Sequence, residues 1–213
     1  MKHERLHALT DGIFAISMTL LVLDLKIPEV ADNISAAGLW AELYKLWPVF
    51  FSFALSFTLL YGYWRAHNLI TSTYMKNLDT KLVNLNIIFL FFVSLVPFST
   101  NLLGRFIGNR AGLIIYGINI GALGLTLWNA RRYADKSEHI DTSDNGWTRR
   151  DRRNSSIRAF GPIVIAVIAV VVSSYSGGLA LAILTLSVVL NLTRTGYDLL
   201  YTLLDRLGIG TNE

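Results

Sequence analysis

Long apolar runs alternate with short charged stretches along this chain, and the runs have the length of membrane spans rather than of strands or surface helices. Crossing the hydrocarbon core takes roughly 20 mainly apolar residues. Runs of that kind lie near 9–28, 42–64, 82–103, 112–130, 159–175 and 179–203. The expected architecture is therefore an all-α integral membrane protein, a single domain over 1–213 with six transmembrane helices. The fifth run is short, and Ser173–Gly178 (SSYSGG) separates it from the sixth by turn chemistry, so these two are expected to form a hairpin. Pro28 stops the first run. Glu29–Leu39 then reads as a short outer loop in which Asn33-Ile34-Ser35 is a solvated turn rather than a glycosylation site.

Composition supports the membrane class. Apolar residues make up 53% of the 213, charged residues 16%, and the mean hydropathy is +0.45, more apolar than a water-soluble domain of this size needs. The absence of Cys excludes disulfides, thiolate chemistry and Cys-ligated metals. The net charge of +4 is not a nucleic-acid signal, because the cations cluster between apolar runs. With a cytoplasmic N-terminus, only Lys26, Lys45, Arg105 and Arg110 of the 19 Lys and Arg fall outside, so the positive-inside rule places both termini in the cytoplasm of a multi-pass cell-membrane protein. The first run lacks a small-x-small cleavage site and closes on Asp24, Lys26 and Pro28, so it is expected to persist as a mature helix. The basic linker 131–158, with its Arg149–Arg153 run, reads as a topogenic cluster, with anionic-lipid contact as the alternative.

The first run is the functional suspect because it carries Arg5, Asp11 and Asp24 around an uncharged stretch from Ile13 to Leu23. A carboxylate at mid-membrane costs about 2.5–3.5 kcal/mol on insertion scales, so such groups pair or face water. At about 100° per residue, Ile16, Leu20, Leu23 and Ile27 fall within a stripe roughly 60° wide, Thr19 flanks it, and Asp11 points about 140° away. If the stripe faces a pore, Asp11 needs a partner such as Arg5 or His67; if it faces lipid, no pore follows. Elsewhere the chemistry is sparse. Tyr61-Gly62-Tyr63 echoes a potassium-filter loop but sits inside a helical run, and Gly117, Gly121 and Gly124 read as a helix-packing face. His3, His7, His67 and His139 form no metal-ligand pattern, and no nucleophile elbow or P-loop is present, so no enzyme, metal or cofactor is expected.

Arg5-x-x-x-Leu9-Thr10-Asp11 resembles the R-x-x-x-F-S-D signature of the first helix in the family of the lysosomal potassium channel called transmembrane protein 175 and its prokaryotic relatives. Tyr63-Trp64-Arg65-Ala66-His67, Leu78-Asp79, Asn84–Asn86 and Leu95-Val96-Pro97-Phe98 followed by Thr100 resemble its second and third helices, so the likeness covers about 5–103. Leu9 and Thr10 replace Phe and Ser of the signature. The resemblance implies four six-helix subunits around a pore lined by the first helix, without a re-entrant filter loop. It implies apolar constriction rings at Ile16, Leu20 and Leu23, a hydroxyl layer for potassium preference at Thr19, and a structural polar network of Arg5, Asp11 and His67.

The leading expectation is a homotetrameric, potassium-preferring cation channel in the lipid bilayer, with a hydrophobic gate that works by dewetting. Its partners are potassium ions, lipid and further copies of itself, with no nucleic acid. A small proton-coupled transporter or proton pathway using Asp11, Asp24 and His67 is the rival. A non-conducting scaffold using Gly117, Gly121 and the basic linker is the third reading.

Overall fold

The computed structural model describes residues 3–26, 34–74, 79–136, 164–165, 167–173 and 175–192. Every regular element among the described residues is helical: α1 (His3–Leu20), a 3-10 turn (Leu21–Asp24), α2 (Ala36–Lys45), α3 (Trp47–Tyr74), α4 (Thr80–Ser94), α5 (Val96–Arg105), α6 (Arg110–Lys136) and α7 (Gly177–Leu192). Glu4–Asp24, Thr80–Arg105 and Arg110–Ala134 are each long and apolar enough to cross a membrane, and the bent pair of α2 with Trp47–Asn68 makes a fourth crossing if taken as one. In the last third, only the apolar helix Gly177–Leu186 is described at 10–17 residues. Much of the runs near 159–175 and 179–203, and the basic linker beyond Lys136, lies outside the described residues.

Local chemistry sets where the helices begin and break. Ser35 caps α2 by accepting the Gly38 N–H at 3.1 Å, so helix starts inside the stretch expected to be loop. Across Leu46 the chain bends 51° into α3, which then runs unbroken for 28 residues through Tyr61-Gly62-Tyr63 and past His67. Asp79 caps α4 by accepting the Leu82 N–H at 2.8 Å. The third apolar run is broken at Leu95, because Pro97 has no N–H to donate to the carbonyl four residues back. Between α5 and α6 the turn contains Gly108 at φ 81°, a left-handed conformation open to glycine.

α4 packs on α6, and α3 on α5, around a core that includes Leu60, Leu82, Val93, Leu103, Tyr116 and Leu123. The α3–α5 approach depends on Gly104, where a Cβ would lie 3.1 Å from the Val49 Cα and still nearer the Ser52 hydroxyl. Hydroxyls are paired inside this core: Ser56 meets Tyr116 at 3.0 Å and accepts from Thr100 at 2.8 Å, and Tyr63 donates to the Ile120 carbonyl at 3.0 Å. In a bilayer no water can serve these groups at depth, so each is satisfied within the bundle.

Candidate functional site: the first helix

α1 is packed along one arc and bare along the rest. Leu6, Thr10, Phe14, Ser17 and Leu21 are buried. Ile16, Leu20 and Leu23 are 60%, 43% and 64% exposed in the protomer, although they are large and apolar. At about 100° per residue the buried arc centres roughly 180° from Ala8, Gly12, Ala15 and Thr19, with Ile16 and Leu20 on one flank of that small-residue line and Asp11 on the other. All of these flanking and facing residues are exposed in the protomer. Thr19 donates its hydroxyl back to the Ala15 and Ile16 carbonyls at 3.0 and 2.9 Å, which leaves its oxygen lone pairs facing outward.

Leu23 does not lie on an α-helix. The α-helical geometry ends at Leu20 and gives way to the 3-10 turn, so the wheel angle expected for Leu23 does not hold there. Ile27, the last member of the expected stripe, lies outside the described residues.

The polar groups of the first helix find partners other than those expected. Asp11 accepts the Trp64 indole N–H of α3 at 2.9 Å and pairs with neither Arg5 nor His67. Arg5 is exposed. His67 is buried, and its Nε2 meets the Asn86 carbonyl oxygen of α4 at 2.6 Å while its ring stacks on Phe89 with centroids 5.3 Å apart. The Asn86 amide donates to the Thr10 hydroxyl at 3.2 Å, and Thr10 donates to the Leu6 carbonyl at 2.9 Å. A single donor direction therefore runs from α3 through α4 into α1, and it places the proton of His67 on Nε2. Asp24, at the other end, accepts from the Asn101 side-chain amide of α5.

Asn86, Thr10 and Asn101 carry these ties, and sequence reasoning gave none of them a role. The available signal was a polar amide inside the apolar run LVNLNIIFLFFV, since a group of that kind at membrane depth must be bonded. At the bundle's other rim Asp79 also accepts from the Tyr133 hydroxyl, and that bond first, with the Leu82 N–H, holds its carboxyl below the usual carboxylate range. Lys81 lies 4.6 Å over the same Tyr133 ring. No group of three or more His, Asp or Glu able to hold a metal occurs among the described residues.

Comparison with known proteins converges on one family. The model of the family described as endosomal/lysosomal potassium channel TMEM175 matches residues 5–97. A protein named as a potassium channel from Streptomyces collinus is 33% identical over 131 residues, covering 58% of this chain and 62% of its own. A potassium channel from Chamaesiphon minutus is 36% identical over 103 residues, 48% of this chain and 50% of its own. The matched part thus spans less than two thirds of these relatives' length. The crystal structure of a lysosomal potassium-selective channel TMEM175 homolog from Chamaesiphon minutus superposes with a TM-score of 0.75 at 26% identity, covering 89% of this chain and 95% of that one. The signature helix, its ties to α3 and α4, and the shared fold agree, and over residues 5–97 this chain is similar to the TMEM175 family with its prokaryotic members.

Proposed function

We propose that the protein is a potassium-preferring cation channel in which four copies surround a pore lined by α1, with Ile16, Leu20 and Leu23 forming apolar constriction rings and Thr19 a hydroxyl layer. The observation that carries this reading is the bare face of the first membrane segment: three large apolar side chains, each at least 43% exposed, two on α1, which bears the signature residues, and Leu23 on the 3-10 turn that continues it. The segment is tied to its neighbours at two levels, mid-helix through Thr10 to Asn86 and in the 3-10 turn through Asp24 to Asn101. A tethered helix with an uncovered apolar stripe suits a shared central axis, where the stripes of four copies meet and expel water. Thr19 supports the hydroxyl layer because its donor is used by its own helix and its acceptor lone pairs are free for a cation. Potassium is also the ion named for the relatives.

Orientation follows from charge. Lys26, Lys45, Arg105 and Arg110 stand at helix ends on the side where Asp24 meets Asn101, and the Lys- and Arg-rich remainder belongs to the cytoplasmic side with both termini. Arg5, Asp11 and His67 serve assembly rather than permeation, Asp11 through Trp64 and His67 through Asn86. The proton-carrier reading gains no support, because Asp11, Asp24 and His67 are each engaged by a different side chain.

Cysteine substitution in this Cys-free chain tests the proposal. Chains carrying Ile16→Cys, Leu20→Cys or Leu23→Cys should pass potassium in bilayers until a small water-borne thiol reagent blocks the current. Val22→Cys should stay unblocked. Block at 22 with none at the other three positions would overturn the pore assignment.

A further inference from the structure

The turn that carries Leu23 is tied down from one side only. In a 3-10 turn residues three apart eclipse, with about 120° and 2.0 Å per residue, against about 100° and 1.5 Å in an α-helix. Leu23 therefore stacks directly beyond Leu20, and Asp24 directly beyond Leu21. Leu21 is fully buried and Asp24 half-buried, so these two hold the packed side of the turn. Leu21 holds it by burial and Asp24 by accepting the Asn101 amide from α5. This bond is the one side-chain tie to the turn among the described residues. The backbone closes behind it, with the Leu25 N–H on the Val22 carbonyl at 3.0 Å and the Lys26 N–H on the Asp24 carbonyl at 2.9 Å.

Short 3-10 segments have poorer hydrogen-bond geometry than α-helix and persist where something outside them holds the chain. We infer that Asp24 and Asn101 are positioning residues that hold this turn in its 3-10 rotation and so keep Leu23 in line with Leu20 on the face proposed to line the pore. Released from Asn101, the turn relaxes toward α-helical geometry, which swings Leu23 about 60° off the Leu20 line, toward the side of the face where Ile16 and Thr19 lie. The inference rests on the pore reading of α1, and it adds that the outermost ring is set from α5 rather than by α1 itself.

The bond joins a carboxylate to an amide of nearly the same size, and that suggests a swap. Asn101→Asp sets two carboxylates against each other and breaks the tie, while Asp24→Asn with Asn101→Asp rebuilds it in reverse. The full chain in liposomes, carrying Leu23→Cys or, as a reference, Leu20→Cys, is labelled with a small water-borne thiol reagent, and the potassium–sodium reversal potential is recorded alongside. Asn101→Asp should change the labelling rate at 23 on the order of tenfold, the equilibrium worth of one charge-assisted hydrogen bond, leave labelling at 20 near its original rate, and shift the reversal potential. The swap should restore both readouts. Labelling at 23 that ignores Asn101→Asp, or a swap that assembles yet restores neither readout, overturns the inference. If Asn101→Asp fails to assemble, Asn101→Ala must change the labelling rate at 23 to a similar extent, and an unchanged rate there overturns it equally. The pore reading fails separately, when positions 20 and 23 are both unreactive in the chain with native Asp24 and Asn101.

Discussion

Asn86 shows how much one amide can carry in a membrane bundle. It receives His67 from α3 and donates to Thr10 of α1, and all three side chains are buried. Asn86→Leu leaves the imidazole and the hydroxyl without their partner at a depth where water cannot replace it. The expected loss is about 2–3 kcal/mol, seen as a lower thermal unfolding midpoint in detergent. Thr10→Ala removes one neutral contact, and its expected loss is about 1 kcal/mol. Equal losses for the two variants would show that the chain does not run through Asn86. The signature hydroxyl at position 10 thus reads as a joint between helices, which explains why Thr can stand where the family pattern has Ser.

Two contacts between elements govern how the helices meet. Asp79 begins α4 and ties it to α6 through Tyr133, and both its bonds favour the carboxylate. Because the folded-state pKa is depressed, this contribution is fully present above the unfolded value of about 3.9 and is lost as pH falls through the lower folded value. Asp79→Asn should therefore melt below the native chain at pH 7, and the gap should close as the pH drops below about 4. A gap constant across that window would assign the effect to packing instead. The α3–α5 crossing is steric: Gly104→Ala drives a methyl into Ser52 and the Val49 backbone, and a loss of about 1–3 kcal/mol is expected from overpacking at so close an approach. Gly104→Ala combined with Ser52→Gly should recover part of that loss in the same melting assay, while the part owed to the Val49 backbone remains.

For the whole molecule, the proposal that the apolar stripe of the first helix lines a pore sets the expected conduction behaviour. An apolar ring gives an ion nothing in exchange for its hydration shell, so the barrier depends on width and wetting. Ile16→Asn or Leu23→Ser should raise single-channel conductance and weaken discrimination between potassium and sodium in bilayer recordings. The same substitutions on a lipid-facing stripe would lower stability and leave the conductance of each channel unchanged, so the recordings distinguish the two orientations of α1.

The sequence by itself determined the class, the helical content and the helix of interest. In a bilayer every backbone group must be bonded internally, so a long apolar run has almost no option but helix, and a charge within it stands out against its neighbours. Finer boundaries were not legible in the same way: the run 82–103 read as one span although helix breaks at Leu95 ahead of Pro97, and neither the helical start at Ala36 nor the 3-10 turn at Leu21–Asp24 was foreseen. What only the tertiary structure decided is partnership. Asp11 meets Trp64, 53 residues away, rather than Arg5, six away on its own helix, and Asp24 meets Asn101 across 77 residues. Those pairings depend on where helices cross and how each is rotated. Periodicity cannot supply that rotation for helices that are apolar nearly all round, because burial against protein and exposure to lipid select the same side chains.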